Sequence, residues 1–140
     1  MILVDTGPLV ALFDPKDADH AGCRALLSTI TEPLVVTMPV LTEAFHLLQP
    51  GSRGAGALRT FLRRRGASAW FLDHASVLRA FELLDRYADH PMDFADASIV
   101  VAAEALRTTQ IFTLDRTDFT RYRVRLGRTH RAFRLLTPEQ

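Results

Sequence analysis

One cysteine, one tryptophan and one lysine in 140 residues exclude several chemistries from the start. Cys23 has no second thiol in the chain to pair with, so no internal disulfide holds this fold, as expected in a reducing compartment. No apolar run approaches the length of a membrane span. The opening Met1-Ile-Leu-Val-Asp5 reaches an acid too soon for a signal peptide, and the expectation is a cytoplasmic protein. A glycine-rich phosphate loop is missing, as are repeats, low-complexity tracts and linkers. The five histidines, His20, His46, His74, His90 and His130, show no metal-ligand spacing.

What is present is 48% hydrophobic and 24% charged, the balance of one globular domain over residues 1–140 with a real core. A net charge of +1 hides an uneven layout. Asp14, Asp17 and Asp19 cluster early, whereas Arg121, Arg123, Arg125, Arg128, Arg131 and Arg134 follow closely near the end. All basic residues but Lys16 are arginine, a side chain suited to bidentate phosphate contact. Arg63-Arg64-Arg65 and the late arginines offer paths for an RNA backbone, although a charge run is more often a solvated face.

Short apolar runs alternate with helical spacing along the chain. Strands are expected at Ile2 to Val4, Leu34 to Thr37, Trp70 to Leu72, Gln110 to Leu114 and Phe133 to Leu136. Helices are expected from Pro8 to Phe13, Ala21 to Ile30, Pro39 to Leu48, around Leu58 to Leu62, from Asp73 to Tyr87, and from Asp93 onward. Gln49 to Ala55, with Pro50, Gly51 and Gly54, reads as a loop. This pattern predicts an α/β fold with a mostly parallel central sheet flanked by helices.

In such sheets ligands sit beyond the carboxyl ends of the strands. Asp5 follows the first strand and Asp115 the fourth, while Glu43 lies early on the helix after the second. Asp93 and Asp96 open a nearly uncharged helix whose far end feeds the fourth strand, so they too start near that edge. Capping explains part of this, with Asp93 as N-cap and Asp96 at the third helical position. It does not explain five carboxylates at one sheet edge, since like charges raise one another's pKa and destabilise a fold. A divalent cation compensates them, and an all-oxygen set points to Mg²⁺, with Mn²⁺ possible.

The blocks ILVDTGPLVALFD, MPVLTEAFHLL, MDFADASIVVAAE and IFTLDRTDF, in that order from Ile2 to Phe119, resemble the PIN domain, in particular the VapC-type ribonuclease toxins. The resemblance places the family's acids on Asp5, Glu43, Asp96 and Asp115, as catalytic and metal-binding residues. Asp118 is the alternative for the fourth. Asp93 matches a further acid, and Thr6 and Thr113 match hydroxyl positions that orient a carboxylate or water. What it implies is a Mg²⁺-dependent endoribonuclease acting on RNA, a homodimer, and the toxin partner of a VapB-like antitoxin.

Other readings have less support. Glu43-Ala-Phe-His46 has the spacing used by di-iron bundles, but only one copy exists. An aspartyl phosphohydrolase wants a second acid two residues after Asp5, where Gly7 stands. A phosphorelay receiver needs an acid after the middle strand, where Thr37-Met38 offers none. From a different class, a non-catalytic PIN-like module binding RNA or protein has no need of all four acids.

Overall fold

The computed structural model describes residues 1–139. The chain runs β1 (Ile2–Val4), α1 (Thr6–Phe13), α2 (His20–Thr29), β2 (Leu34–Thr37), α3 (Met38–Leu48), α4 (Arg53–Arg63) and β3 (Ser68–Trp70). It continues through α5 (His74–Arg86), α6 (Phe94–Leu106), β4 (Gln110–Phe112), α7 (Arg116–Arg121), β5 (Arg123–Leu126), β6 (Thr129–Ala132) and β7 (Arg134–Leu136). Five strands form one sheet in the order β3-β2-β1-β4-β7, and every neighbouring pair is parallel. Helices flank it, as the alternating sequence pattern requires. Among the described residues no helix is long and apolar enough to cross a membrane.

Parallel strands covered on both faces read as continuous apolar runs. β1 and β2, at the middle of the sheet, are buried at every residue. The helix they lean on is α6. From Ala97 to Ala103 all of its residues are buried, because α3, α5, β1, β2 and β5 surround it. That accounts for its missing polar stripe. Arg107, at φ 54°, ends it in the left-handed region and turns the chain into β4.

Four local readings need correction. α1 begins at Thr6 rather than Pro8, because Asp5 caps it. Ser52 Oγ accepts from the Ala55 N–H at 3.0 Å, so α4 starts inside the stretch read as a loop. Gly54 serves a close helix approach: a Cβ there would stand 2.7 Å from the Phe13 carbonyl oxygen. β3 lies at Ser68–Trp70 because it pairs Ser68 with Val35 and Trp70 with Thr37. Phe71, whose bulk suggested a strand, lies beyond it and is 69% exposed. Finally, α7 and the antiparallel pair β5–β6 fill a stretch for which no elements were expected.

Candidate active site

β1 ends at Asp5, and the carboxyl edge of the sheet begins there. The Asp5 N–H still donates into the sheet, to the Phe112 carbonyl at 2.9 Å. Its side chain turns to helix capping: Oδ1 accepts from the Thr6 N–H at 2.8 Å. Oδ2 accepts from Thr113 Oγ1, also at 2.8 Å. The same Thr113 hydroxyl accepts from the Asp115 N–H at 2.9 Å. One buried hydroxyl therefore ties the acid after β1 to the acid after β4. Burial raises the Asp5 pKa to about 6, against the two hydrogen bonds and with help from Asp115 and Asp93.

Asp93 is the N-cap of α6, its Oδ1 accepting from the Asp96 N–H at 2.7 Å. Asp96, in the first turn, does not cap. Its Oδ2 accepts from the Tyr122 hydroxyl at 2.9 Å. Burial, then the charges of Asp5 and Asp93, push the Asp96 pKa up to about 8, with Asp115 adding to the effect and Tyr122 opposing it. A carboxyl this hard to ionise in the first turn of a helix, where the dipole favours its anion, reports its burial first and its acidic neighbours second.

Asp115 caps α7, its Oδ1 accepting from the Asp118 N–H at 2.9 Å. Burial and the Asp115 charge raise the Asp118 pKa, and Arg121, 3.5 Å away, draws it back. Asp115 acts on both Asp5 and Asp96. Asp118 instead faces Arg121.

Glu43 stands apart from this group. It is exposed on the second turn of α3 and lines a cleft of about 760 Å³ with Asp93, His46, Phe71 and Phe94. The sheet edge thus gathers Asp5, Asp93, Asp96, Asp115 and Asp118, while Glu43 opens on the same cleft as Asp93. His46 is exposed, and Cys23 is fully buried in the core.

Thr6 contributes its N–H to Asp5, whereas its buried hydroxyl has no hydrogen-bond partner among the described residues. Sequence reasoning missed Tyr122. It packs edge-on against Tyr87 and Phe119, with ring centroids 5.2 Å away in each case, and this stack aims its hydroxyl at Asp96. The i, i+3 spacing of Phe119 and Tyr122 signalled a packed face, but nothing local points to Asp96.

The donor set fits a hard divalent cation: carboxylates and hydroxyls only, two acids with raised pKa, and an unpartnered hydroxyl beside Asp5. Among the described residues no three His, Cys, Asp or Glu side chains are arranged to hold an ion as they stand. Asp5, Asp93, Asp96 and Asp115 each accept a hydrogen bond from a neighbouring group.

The profile of the PIN domain family matches residues 2–124. Ribonuclease VapC26 of Mycobacterium tuberculosis (strain ATCC 25618 / H37Rv) is 33% identical over 125 residues, covering 87% of this chain and 92% of that protein. Among solved structures, Mycobacterium tuberculosis VapC20, a sarcin-ricin loop cleaving toxin, superposes with a TM-score of 0.74 at 23% identity. That match covers 84% of this chain and 92% of VapC20. VapBC2 from Rickettsia felis, bound to a DNA fragment from their promoter, gives 0.66 at 14% identity, covering 99% of this chain and 100% of that one. A chain of a toxin-antitoxin complex from Klebsiella pneumoniae gives 0.67 at 18% identity, covering 85% and 90%.

Proposed function

The chain belongs to the PIN domain family, and from that premise we propose that it is a Mg²⁺-dependent endoribonuclease, the toxin of a toxin–antitoxin pair. The observation that carries this reading is the meeting of Asp5, Asp96 and Asp115 at one sheet edge, with Asp5 and Asp115 joined through the Thr113 hydroxyl and Asp96 held by Tyr122. Burial first, and then their mutual charge, raises Asp5 to about 6 and Asp96 to about 8, which a bound cation would offset. The 33% identity to a ribonuclease over most of both chains supports the same reading.

Asp5 and Asp96 would hold the cation, Mg²⁺ or Mn²⁺, with Asp115 and Glu43 completing the set. When bound, the cation supplies the positive charge that polarises a phosphodiester and eases deprotonation of water. The chain's own groups do the rest. Thr113 fixes Asp5 and Asp115 relative to each other, and Tyr122 fixes Asp96. Glu43, exposed on the cleft it shares with Asp93, would take a proton from an attacking water or hold a water bound to the cation. Asp93 holds the first turn of α6 and deepens the negative field.

The partners follow the same line. The solved relatives include a toxin-antitoxin complex and a VapBC assembly, which supports a VapB-like antitoxin for this chain. A homodimer is supported by exposed apolar side chains: Leu47 on α3, Phe71 after β3, and Leu78 and Phe81 on α5 are about half exposed or more. Of these, Phe71 lines the cleft and Phe81 lies beside its Phe94, with ring centroids 6.4 Å apart. Large exposed apolar patches mark interaction surfaces.

The deciding experiment incubates purified protein with cellular RNA and sequences the new ends. Cleavage should stop with chelator and return with Mg²⁺ or Mn²⁺. Cleavage that survives exhaustive metal removal would overturn the cation requirement. Absence of any cut with both ions would favour a binding module.

A further inference from the structure

The run of arginines near the carboxyl terminus is not one feature, and the structure sorts it. The Arg121 guanidinium pairs with Asp118 at 3.5 Å. Arg123 Nη1 donates to the carbonyls of Thr120, Arg121 and Tyr122 and so closes the end of α7. Arg116 donates to the Pro138 carbonyl, at 3.4 Å. Arg134 opens β7 opposite Gln110, the residue that binds Glu32, at the amino edge away from the acids. Among the described residues, Arg125, Arg128 and Arg131 make no ion pair and no side-chain hydrogen bond, and all three are exposed. These three belong to one object, the β5–β6 ribbon.

That ribbon is unusual in what it buries. Only Val124 is buried, and every residue of β6 is exposed. β5 is anchored along α6 by the Arg125 N–H, which donates to Glu104 Oε2 at 2.8 Å. Gly127, at φ 63°, makes the turn with Arg128, and β6 returns with Arg125 opposite His130 and Val124 opposite Arg131. A two-stranded ribbon with so little apolar burial is marginal alone. Arginines do protect exposed edges from pairing, but acids serve that purpose equally, and residues 123–132 contain no Asp or Glu.

The ribbon also starts at the acids. Tyr122, just before β5, touches Asp96, and Arg125 reaches Glu104 further along α6. Eight residues of helix separate those two contacts, about 12 Å. A polyanion lying with one phosphate at the acids can continue along the ribbon.

Building on the ribonuclease reading above, we propose that the β5–β6 ribbon is a separate RNA-backbone contact. Arg125 and His130, paired on the face opposite buried Val124, and Arg128 at the turn bind phosphates away from the scissile bond, while Arg131 lies on the other face. The contact carries no base readout, since arginines on a twisted exposed ribbon offer charge rather than a shaped pocket.

The test is binding in chelator of a labelled single-stranded RNA oligonucleotide, comparing the parent with R125Q/R128Q over a range of salt. The double variant should bind about tenfold more weakly at low salt. The slope of log K against log salt should shrink by about 1.4, the loss of two phosphate contacts at ~0.7 each. R125K/R128K should recover most of the affinity, and all three proteins should melt alike because the side chains are exposed. With Mg²⁺, the Gln variant should show a raised KM and an unchanged kcat. Equal affinity and salt slope for the parent and the Gln variant would overturn the proposal. So would a Lys variant as weak as the Gln variant, which would point to fold rather than charge. Binding without cleavage by the parent would leave the ribbon standing and sink the nuclease reading instead.

Discussion

The Tyr122 hydroxyl donates to Asp96 Oδ2 at 2.9 Å, joining residues 26 apart in sequence on different elements. The bond favours the ionised form of Asp96 against the burial and like charges that raise its pKa to about 8. Tyr122 is therefore a positioning residue: it holds the acid's geometry and eases its ionisation.

Removing that hydroxyl should weaken Mg²⁺ binding more than it weakens the fold. For Tyr122→Phe the expected stability loss at pH 7 is about 0.5–1.5 kcal/mol, the range for a hydrogen bond between neutral groups, since Asp96 is mostly protonated there. Asp96 then ionises less readily, so Mg²⁺-dependent stabilisation at pH 7 should need several-fold more cation. The deficit should shrink at pH 9, where Asp96 is ionised regardless. Titrating melting temperature with Mg²⁺ at both pH values checks this; an equal deficit at both would assign Tyr122 to packing alone.

The raised acids also set how stability varies with pH. Asp5 and Asp96 bind protons more tightly in the folded chain than in the unfolded one. Their contribution is full below the unfolded carboxyl pKa of about 3.9 and is lost as pH rises through about 6 and about 8. In chelator, Asp96→Asn should match the parent near pH 4 and melt above it at pH 8. The gain is about 1–2 kcal/mol, discounted for partial solvent screening at this site. Saturating Mg²⁺ should stabilise the parent by about 2.7 kcal/mol at a hundred times Kd, and the Asn variant much less. A parent that melts higher than the variant in chelator at pH 8, and ignores Mg²⁺, would return Asp96 to the helix dipole.

Thr113 gives a third test because its hydroxyl serves two groups at once. Thr113→Val keeps the shape but strands the buried Asp5 Oδ2 and removes the acceptor of the Asp115 N–H. A loss of about 2 kcal/mol and a large fall in cleavage are expected. Thr113→Ser keeps both bonds and should retain cleavage. A Val variant with parental kcat would remove Thr113 from the site.

The proposed homodimer is tested at Phe81: the parent should sediment as a dimer and Phe81→Glu as a monomer, with the melting transition of the variant still cooperative. A parent that is monomeric at micromolar concentration would remove the dimer reading.

The central strands and the acids were legible because each rests on local signals. Ile2-Leu3-Val4 and Leu34-Val35-Val36 are apolar runs, and Asp5 and Asp115 follow such runs directly. The Asp93 cap was likewise readable from its position before an apolar helix. Less legible was anything decided by distant contacts. β3 slid toward Trp70 and Phe71 because bulk was mistaken for burial, and the register with β2 corrected it. Gly54 looked like a loop residue because its role depends on the Phe13 carbonyl, which sequence spacing does not reveal. The ribbon was missed because its strands bury almost nothing and so carry no apolar alternation.

The bond from Thr113 to Asp5 spans 108 residues, and the Thr113 N–H donates to the Leu136 carbonyl on the last strand. At translation rates of about 5–20 residues per second, roughly 6–20 s separate the synthesis of Asp5 from that of Asp115. No nascent fragment lacking the final strand holds the complete sheet edge. The acidic centre therefore assembles late and all at once, only after the final strand has joined the sheet.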